Sequence, residues 1–309
     1  MIPMIDQVYD LAVGLAKILL WCGGAIFLLY LIGAFRYIPN NRVGVVEKWW
    51  SFRGSIESGL IAMNGEAGFQ PNLLRGGLHF MMPLQYRIHS LPLVTISQGK
   101  IGYIFARDGQ PLPATQALAS NTKANDFQDA AKFLQNGGQR GPQRKILREG
   151  TYAINLAQFV VITNERVYGL ALEKSEEDTF KRMASLITQR EGFEPVVIKG
   201  SDDLVGIVTV HDGPSLVSGQ IIAPTVGEDI NVTGSYHNNF QDPEHFLEAG
   251  GRRGRQLQVL VEGTYYVNRL FATVEAVPKT VVEVGNVGVV VSYTGHAGKD
   301  LSGEGYKHG

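Results

Sequence analysis

One cysteine, Cys22, stands in 309 residues, which excludes an intramolecular disulfide framework and a multi-cysteine zinc or iron–sulfur site. Charge of one sign is lacking too. The 28 Lys and Arg are balanced by 29 Asp and Glu, for a formal charge of −1. A protein that tracks nucleic-acid phosphates needs a basic stripe or patch, so nucleic acid is not an expected partner. No sustained apolar heptad appears, and with it no long coiled coil. The H-E-x-x-H, G-x-S-x-G and G-x-x-x-x-G-K-[ST] patterns are missing as well. The seven histidines, among them His79, His89, His237 and His245, are scattered and form no close ligand set on one helical face. No cofactor, metal or catalytic residue is therefore expected.

Glycine is abundant. Its 37 residues amount to about 12% against a usual ~7%, and they punctuate β-branched runs such as Val43-Gly44-Val45-Val46. That pattern predicts many short strands and tight turns. With roughly 150 residues per folded unit, the length corresponds to about two units.

From Ile18 to Phe35 the chain carries no charge. Eighteen residues at 1.5 Å each span about 27 Å, close to the hydrocarbon thickness of a bilayer. Extension back to Leu11 adds only Lys17, whose stem can snorkel to the head groups. The segment is apolar on every face, unlike a soluble core helix. It lacks the small-residue cleavage pattern of a signal peptide. Residues 1–38 are therefore expected to be a membrane anchor, with Leu11, Lys17, Trp21, Leu28 and Phe35 along it. Cys22 inside it reads as a packing residue. Arg36, Arg42, Lys48 and Arg53 come after the span, whereas Asp6, Asp10 and Lys17 precede it. This cation excess after the helix places the bulk of the chain in the cytoplasm. Tyr37, Trp49, Trp50 and Phe52 are candidate membrane-interface contacts. The competing reading puts the two tryptophans on opposite sides of a strand, one of them in a core.

The remainder repeats itself. Phe127–Asn155 and Phe240–Asn268 align without a gap at an offset of 113, and 16 of 29 positions are identical. An opening phrase with a central glycine occurs four times, around Gly44, Gly102, Gly206 and Gly288. A weaker closing phrase, Gly77-Leu78-His79-Phe80, stands where Gly150-Thr151-Tyr152 and Gly263-Thr264-Tyr265 stand elsewhere. The expected organisation is an anchor (1–38), a first unit (39–96), a second with an extra helix (97–200), a third (201–282) and the start of a fourth (283–309). Each opening phrase is expected to form a hairpin through a turn such as Asp108-Gly109 or Asp212-Gly213. Short helices are expected over Phe127–Asn136 and Asp242–Ala249, stopped by Gly-Gly. Closing segments such as Tyr152–Ile162 should return as strands. Ser175 is positioned to cap a longer helix over Glu176–Arg190, with Phe180, Met183 and Ile187 on one face. The expected class is α+β, with small, mainly antiparallel sheets and packed helices.

Two repeated features invite a chemical reading. The loops at Gly137-Gly138 and Gly250-Gly251 could cradle an anion, but each comes after a helix and meets the wrong end of its dipole. The recurring carboxylates Asp108, Asp129, Glu149, Asp212, Asp242 and Glu262 could be acid–base pairs. Carboxylates copied from unit to unit are better explained by turns and helix starts.

The N-terminal span, then Val43-Gly44-Val45-Val46-Glu47, then Gly76-Gly77-Leu78-His79-Phe80-Met81-Met82-Pro83, resembles the start of the SPFH, or band 7, superfamily of stomatins, prohibitins and flotillins. The tandem FQD…GG-x-RG…EGTY units resemble its flotillin-like bacterial branch. The resemblance implies a non-catalytic scaffold in the bacterial inner membrane that assembles into homo-oligomers and organises lipid and protein in membrane microdomains. It also implies a small partner membrane protein of the NfeD type. The family's C-terminal coiled-coil region has no counterpart here. A monomeric, membrane-tethered adaptor that recruits a partner through its repeats is the alternative.

Overall fold

The computed structural model describes residues 2–31, 33–82, 84–121 and 124–293. Pro83 of the leading motif and residues 294–309 of the expected fourth unit lie outside them. Helix α1 (Ile2–Leu31) comes first, and its stretch Ala12–Tyr30 is apolar enough to cross a membrane. The helix begins earlier than Leu11 and ends before Phe35. Gly33 takes a left-handed φ of 74°, and the Ala34 amide closes the last turn on the Leu29 carbonyl. Phe35 thus belongs to the first strand rather than to the anchor helix.

Three sets of strands come next. The first comprises β1 (Phe35–Ile38), β2 (Arg42–Lys48), β3 (Gly68–Leu74), β4 (Gly77–Phe80) and β5 (Tyr86–Pro92). The second holds β6 (Val94–Ile96), β7 (Tyr103–Ala106), α2 (Ala130–Gln135), β8 (Gly141–Pro142), β9 (Gly150–Tyr152), β10 (Phe159–Ile162) and β11 (Val167–Tyr168). After α3 (Lys174–Gln189), the third holds β12 (Val196–Ile198), β13 (Leu204–Val210), α4 (Pro243–Glu248), β14 (Gly254–Leu260), β15 (Gly263–Tyr265) and β16 (Ala272–Pro278). The architecture is α+β, built from small antiparallel sheets.

All three sets share one wiring. The opening strand is flanked on both edges, in the orders β3-β2-β5, β8-β7-β10-β11 and β14-β13-β16. A shorter strand upstream pairs with the closing phrase: β1 with β4, β6 with β9, β12 with β15. Each repeat therefore starts upstream of the opening phrase from which its boundary was drawn. The upstream strand also explains the central glycine. A Cβ on Gly44, Gly102 or Gly206 would lie 2.6, 2.5 or 2.9 Å from Cδ1 of Ile38, Ile96 or Ile198, closer than carbon atoms approach.

A second device recurs three times. Gln70 donates to the carbonyls of Glu66 and Gly68, Gln143 to those of Gln139 and Gly141, and Gln256 to those of Arg252 and Gly254. Beside each, a buried alanine (Ala62, Ala119, Ala223) donates its amide to the residue preceding the glutamine. This places Gly68-Phe69-Gln70 in register with the G-x-Gln of the long repeats.

By contact the chain forms two compact units, Met1–Leu112 with Ala119–Ala184, and Pro113–Leu118 with Ser185–Gly309. In the first, Phe127, Phe133 and Phe159 meet at ring separations of 5.0–6.0 Å, packed among Ile104, Leu147 and Val161. In the second, Phe240, Phe246 and Phe271 do the same with Val208 and Leu260. These fully buried aromatics are the largest apolar contributors to each core.

Several local expectations change. The short helices begin later than Phe127 and Asp242, at Ala130 and Pro243, because Asn125–Phe127 and Asn238–Phe240 adopt positive φ. Asp129 and Asp242 then act as N-caps. Gly-Gly stops both helices, with Gly138 donating to the Phe133 carbonyl and Gly251 to that of Phe246. The segment Tyr152–Ile162 is two strands separated by a loop, not one. Helix α3 starts at Lys174, so Ser175 is inside it and bonds the Glu173 carboxylate instead of capping. Phe180 and Ile187 are buried and Met183 half-buried.

The Asp-Gly pairs make no hairpin. The Asp108 carboxylate accepts from the Leu60 and Ile61 amides, 2.6 and 3.1 Å away in the preceding repeat. Asp212 likewise accepts from Ala117 at 2.9 Å. In each compact unit the recurring carboxylate thus accepts from backbone amides far away in the sequence instead of closing a local turn.

Candidate membrane-contact site

None of the Ala12–Tyr30 window is buried. Trp21 is 79% and Leu28 59% exposed, and Lys17 and Cys22 are exposed beside them. Leu11 lies on the same helix. An isolated apolar helix of 19 residues is about 28 Å long, enough for the hydrocarbon core.

Apolar side chains stay unburied beyond the helix as well. Strands β1 and β4 pair Phe35 with Phe80 and Tyr37 with Leu78, and the two phenylalanine rings meet at 5.4 Å. Tyr37, Leu78 and Phe80 nevertheless remain exposed, as do Met82 and Leu84 further along the chain. Strand β2 ends at Lys48, so Trp49 and Trp50 are past the strand and its alternation does not govern them. Both are exposed, and Phe52 is 97% exposed. Neither tryptophan fills the core of the first repeat.

Polar bonds hold this apolar surface in shape. The Trp50 Nε1–H donates to the Leu84 carbonyl at 3.2 Å, and its ring meets Phe52 edge-on at 5.5 Å. The Trp49 amide donates to the Gln85 carbonyl. Behind them, Lys48 Nζ bonds the Gly65 carbonyl and Ser51 Oγ, while Arg53 bonds the Asn64 carbonyl. Arg36, Arg42 and Arg53 are exposed cations around the same segment. The surface can thus present tryptophan and phenylalanine among guanidinium groups, the pairing favoured at a lipid interface. Leu78, Phe80, Met82 and Leu84 were not expected from the sequence, because GLHF reads equally well as a buried strand.

The other candidate features serve the fold. A Cβ on Gly138 would strike the Phe133 ring at 2.5 Å, and Gly251 faces Phe246 in the same way. These glycines make room for aromatic packing rather than for an anion. Asp129 is held below its ordinary value first by the Lys132 amide, as its capping role requires. Among the described residues no group of three or more metal-binding side chains converges. His237 is buried, with Nδ1 accepting from the Phe240 amide and Nε2 donating to the Val226 carbonyl. Burial pushes its proton affinity down. Arg107 lies under α3 beside a recess of about 260 Å³. Its guanidinium bonds the Leu156, Ala157 and Leu170 carbonyls and pairs with Glu176 at 3.0 Å. Burial lowers its affinity for the proton, and Glu176 opposes that. All these groups are committed to backbone or to ion pairs.

Comparison of the chain with family models, curated proteins and solved structures finds no match.

Proposed function

We propose that this chain is a non-catalytic, single-span membrane scaffold that associates with copies of itself and organises lipid and protein around it. The observation that carries the reading is the fully unburied Ala12–Tyr30 helix, succeeded at once by the exposed set Tyr37, Trp49, Trp50, Phe52 and Leu84. A helix of that composition has no favourable place in water. The apolar side chains beyond it extend contact from the core of the bilayer to its interface. Arg36, Arg42, Lys48 and Arg53 set the repeats on the cytoplasmic side of a bacterial inner membrane. The repeats supply lateral surfaces, in the manner of the flotillin-like branch whose phrases they resemble, and a small NfeD-type membrane protein fits that setting as a partner.

The test is made on membranes from cells expressing the full chain. Carbonate washing should leave the protein in the pellet with residues 1–38 intact, and amine-reactive cross-linking should trap multiples of the 33.8 kDa chain. Release by carbonate, or a chain shortened after the helix, would exclude the anchor. Monomers alone would favour the adaptor.

A further inference from the structure

We propose that the recess beside Arg253 in the second compact unit binds a phosphate monoester, through the guanidinium groups of Arg252 and Arg253 and the hydroxyls of Thr209 and Ser215.

The recess measures about 550 Å³ and is lined, among others, by Thr209, His211, Ser215 and Arg253. Two guanidinium groups close on one residue there. Arg252 donates to the Ser215 carbonyl at 2.9 Å, and Arg253 donates to the Ser215 hydroxyl. Among the described residues neither arginine pairs with a carboxylate. Arg255, two positions on, is by contrast paired with Glu275 at 2.9 Å. Arg190 adds a third positive charge nearby. It donates to the Arg269 carbonyl, and after burial its charge is what lowers the proton affinity of His211.

This chemistry is particular to the third repeat. Val210 pairs with Gly254 and Ala272 as Ala106 pairs with Gly141 and Phe159. Thr209, His211, Thr273 and Arg253 therefore stand where Phe105, Arg107, Val160 and Arg140 stand in the second repeat. Leu216 lies over Gly254 as Leu112 lies over Gly141, which sets Ser215 against Pro111. In the second repeat Phe105 meets Phe180 of α3 at 5.3 Å, and Val160 and Arg107 line the recess under the same helix. Threonine at two of these positions removes the apolar surface on which such a ring packs and supplies hydroxyl donors instead. His211 Nε2 and Thr273 Oγ1 share a hydrogen bond of 3.0 Å at the same edge.

Unpaired guanidinium forks beside hydroxyl groups match an anion with several acceptor oxygens. A monocarboxylate would balance only one of the two cations on Ser215. A phosphate monoester carries about two charges at pH 7 and offers three acceptor oxygens, so both forks and a hydroxyl can be met together. The contacts come from side chains, and the Gly250-Gly251 amides take no part.

The experiment uses the full chain in phosphatidylcholine nanodiscs. One arm titrates glycerol 3-phosphate by calorimetry. The other measures co-sedimentation with sucrose-loaded phosphatidylcholine vesicles containing phosphatidic acid. Arg253→Gln should weaken binding by about tenfold or more, the loss of one charge-assisted donor group. Ser215→Asp, which sets a carboxylate between the two arginines, should do the same. Both variants should keep the far-UV spectrum and melting temperature. Arg140→Gln removes the same charge at the matching position of the second repeat and should leave binding unchanged. Binding of glycerol 3-phosphate without vesicle capture identifies a soluble ester as the ligand, and capture lost in Arg253→Gln identifies a lipid head group; either supports the site. Binding in neither arm overturns it. Equal weakening by Arg253→Gln and Arg140→Gln also overturns it, because net charge rather than this recess would then be responsible.

Discussion

Replacing Gln256 with Met tests the device that defines the repeat. Met keeps the length of the side chain but removes the amide that donates to Arg252 and Gly254 at 2.8 and 2.7 Å. Gln256 is 4% exposed, so water does not readily replace those bonds. Two net hydrogen bonds at roughly 1 kcal/mol each give a loss of about 2 kcal/mol. For a unit of this size, at roughly 2–4 °C per kcal/mol, the melting temperature of the second compact unit should fall by about 4–8 °C. Thermal unfolding of the full chain in detergent, monitored by far-UV circular dichroism, reads this directly. Gln258→Met is the control, because Gln258 on the same strand is half-buried and makes one long bond of 3.4 Å to Asn239. Equal shifts in the two variants would refute the reasoning, since general strand propensity rather than the carbonyl pair would then be responsible.

The same geometry leads to other outcomes. Gly102→Ala should destabilise by roughly 1–3 kcal/mol through overpacking, because the new Cβ meets Ile96 at 2.5 Å, whereas Gly288→Ala, facing an exposed Val282 at 3.2 Å, should be near neutral; denaturant midpoints compare them. His237 has a folded-state pKa below its ordinary 6.5, so the unfolded chain takes up a proton first. Stability is full above that value and should decline as pH falls below it, since a proton on Nδ1 would oppose the Phe240 amide. Melting between pH 7.5 and 5 should show that slope, reduced in His237→Gln and shared in part by His211, which burial and then Arg190 shift the same way. In vesicles of head-group-proximal brominated lipid, the emission of Trp49 and Trp50 in a Trp21→Phe variant should be quenched. Unquenched emission would separate the aromatic surface from the membrane.

Much of this architecture is legible in the sequence. The long apolar helix is a composition signal that tertiary packing does not disturb. The FQD…EGTY phrases are visible because each residue has a fixed duty: Phe127 and Phe240 in the cores, Gln128 and Gln241 on the Ala153 and Tyr266 amides, Asp129 and Asp242 on helix starts. Other parts are silent for physical reasons. The three-residue strands β6 and β12 are too short for alternation to register. Gly68-Phe69-Gln70 carries only two signature residues, and its kinship with Gln143 and Gln256 emerges from the shared pair of carbonyl bonds. Asp108 and Asp212 read as turns because their partners, Leu60, Ile61 and Ala117, lie 48, 47 and 95 residues away. The exposed apolar side chains Leu78, Phe80, Met82 and Leu84 are silent too, since exposure of an apolar segment depends on what does not cover it.

The most direct measurement is the mass of the full chain in nanodiscs at two protein concentrations tenfold apart. A discrete multiple of 33.8 kDa at both is the predicted result. A mass of one chain at both would contradict the scaffold.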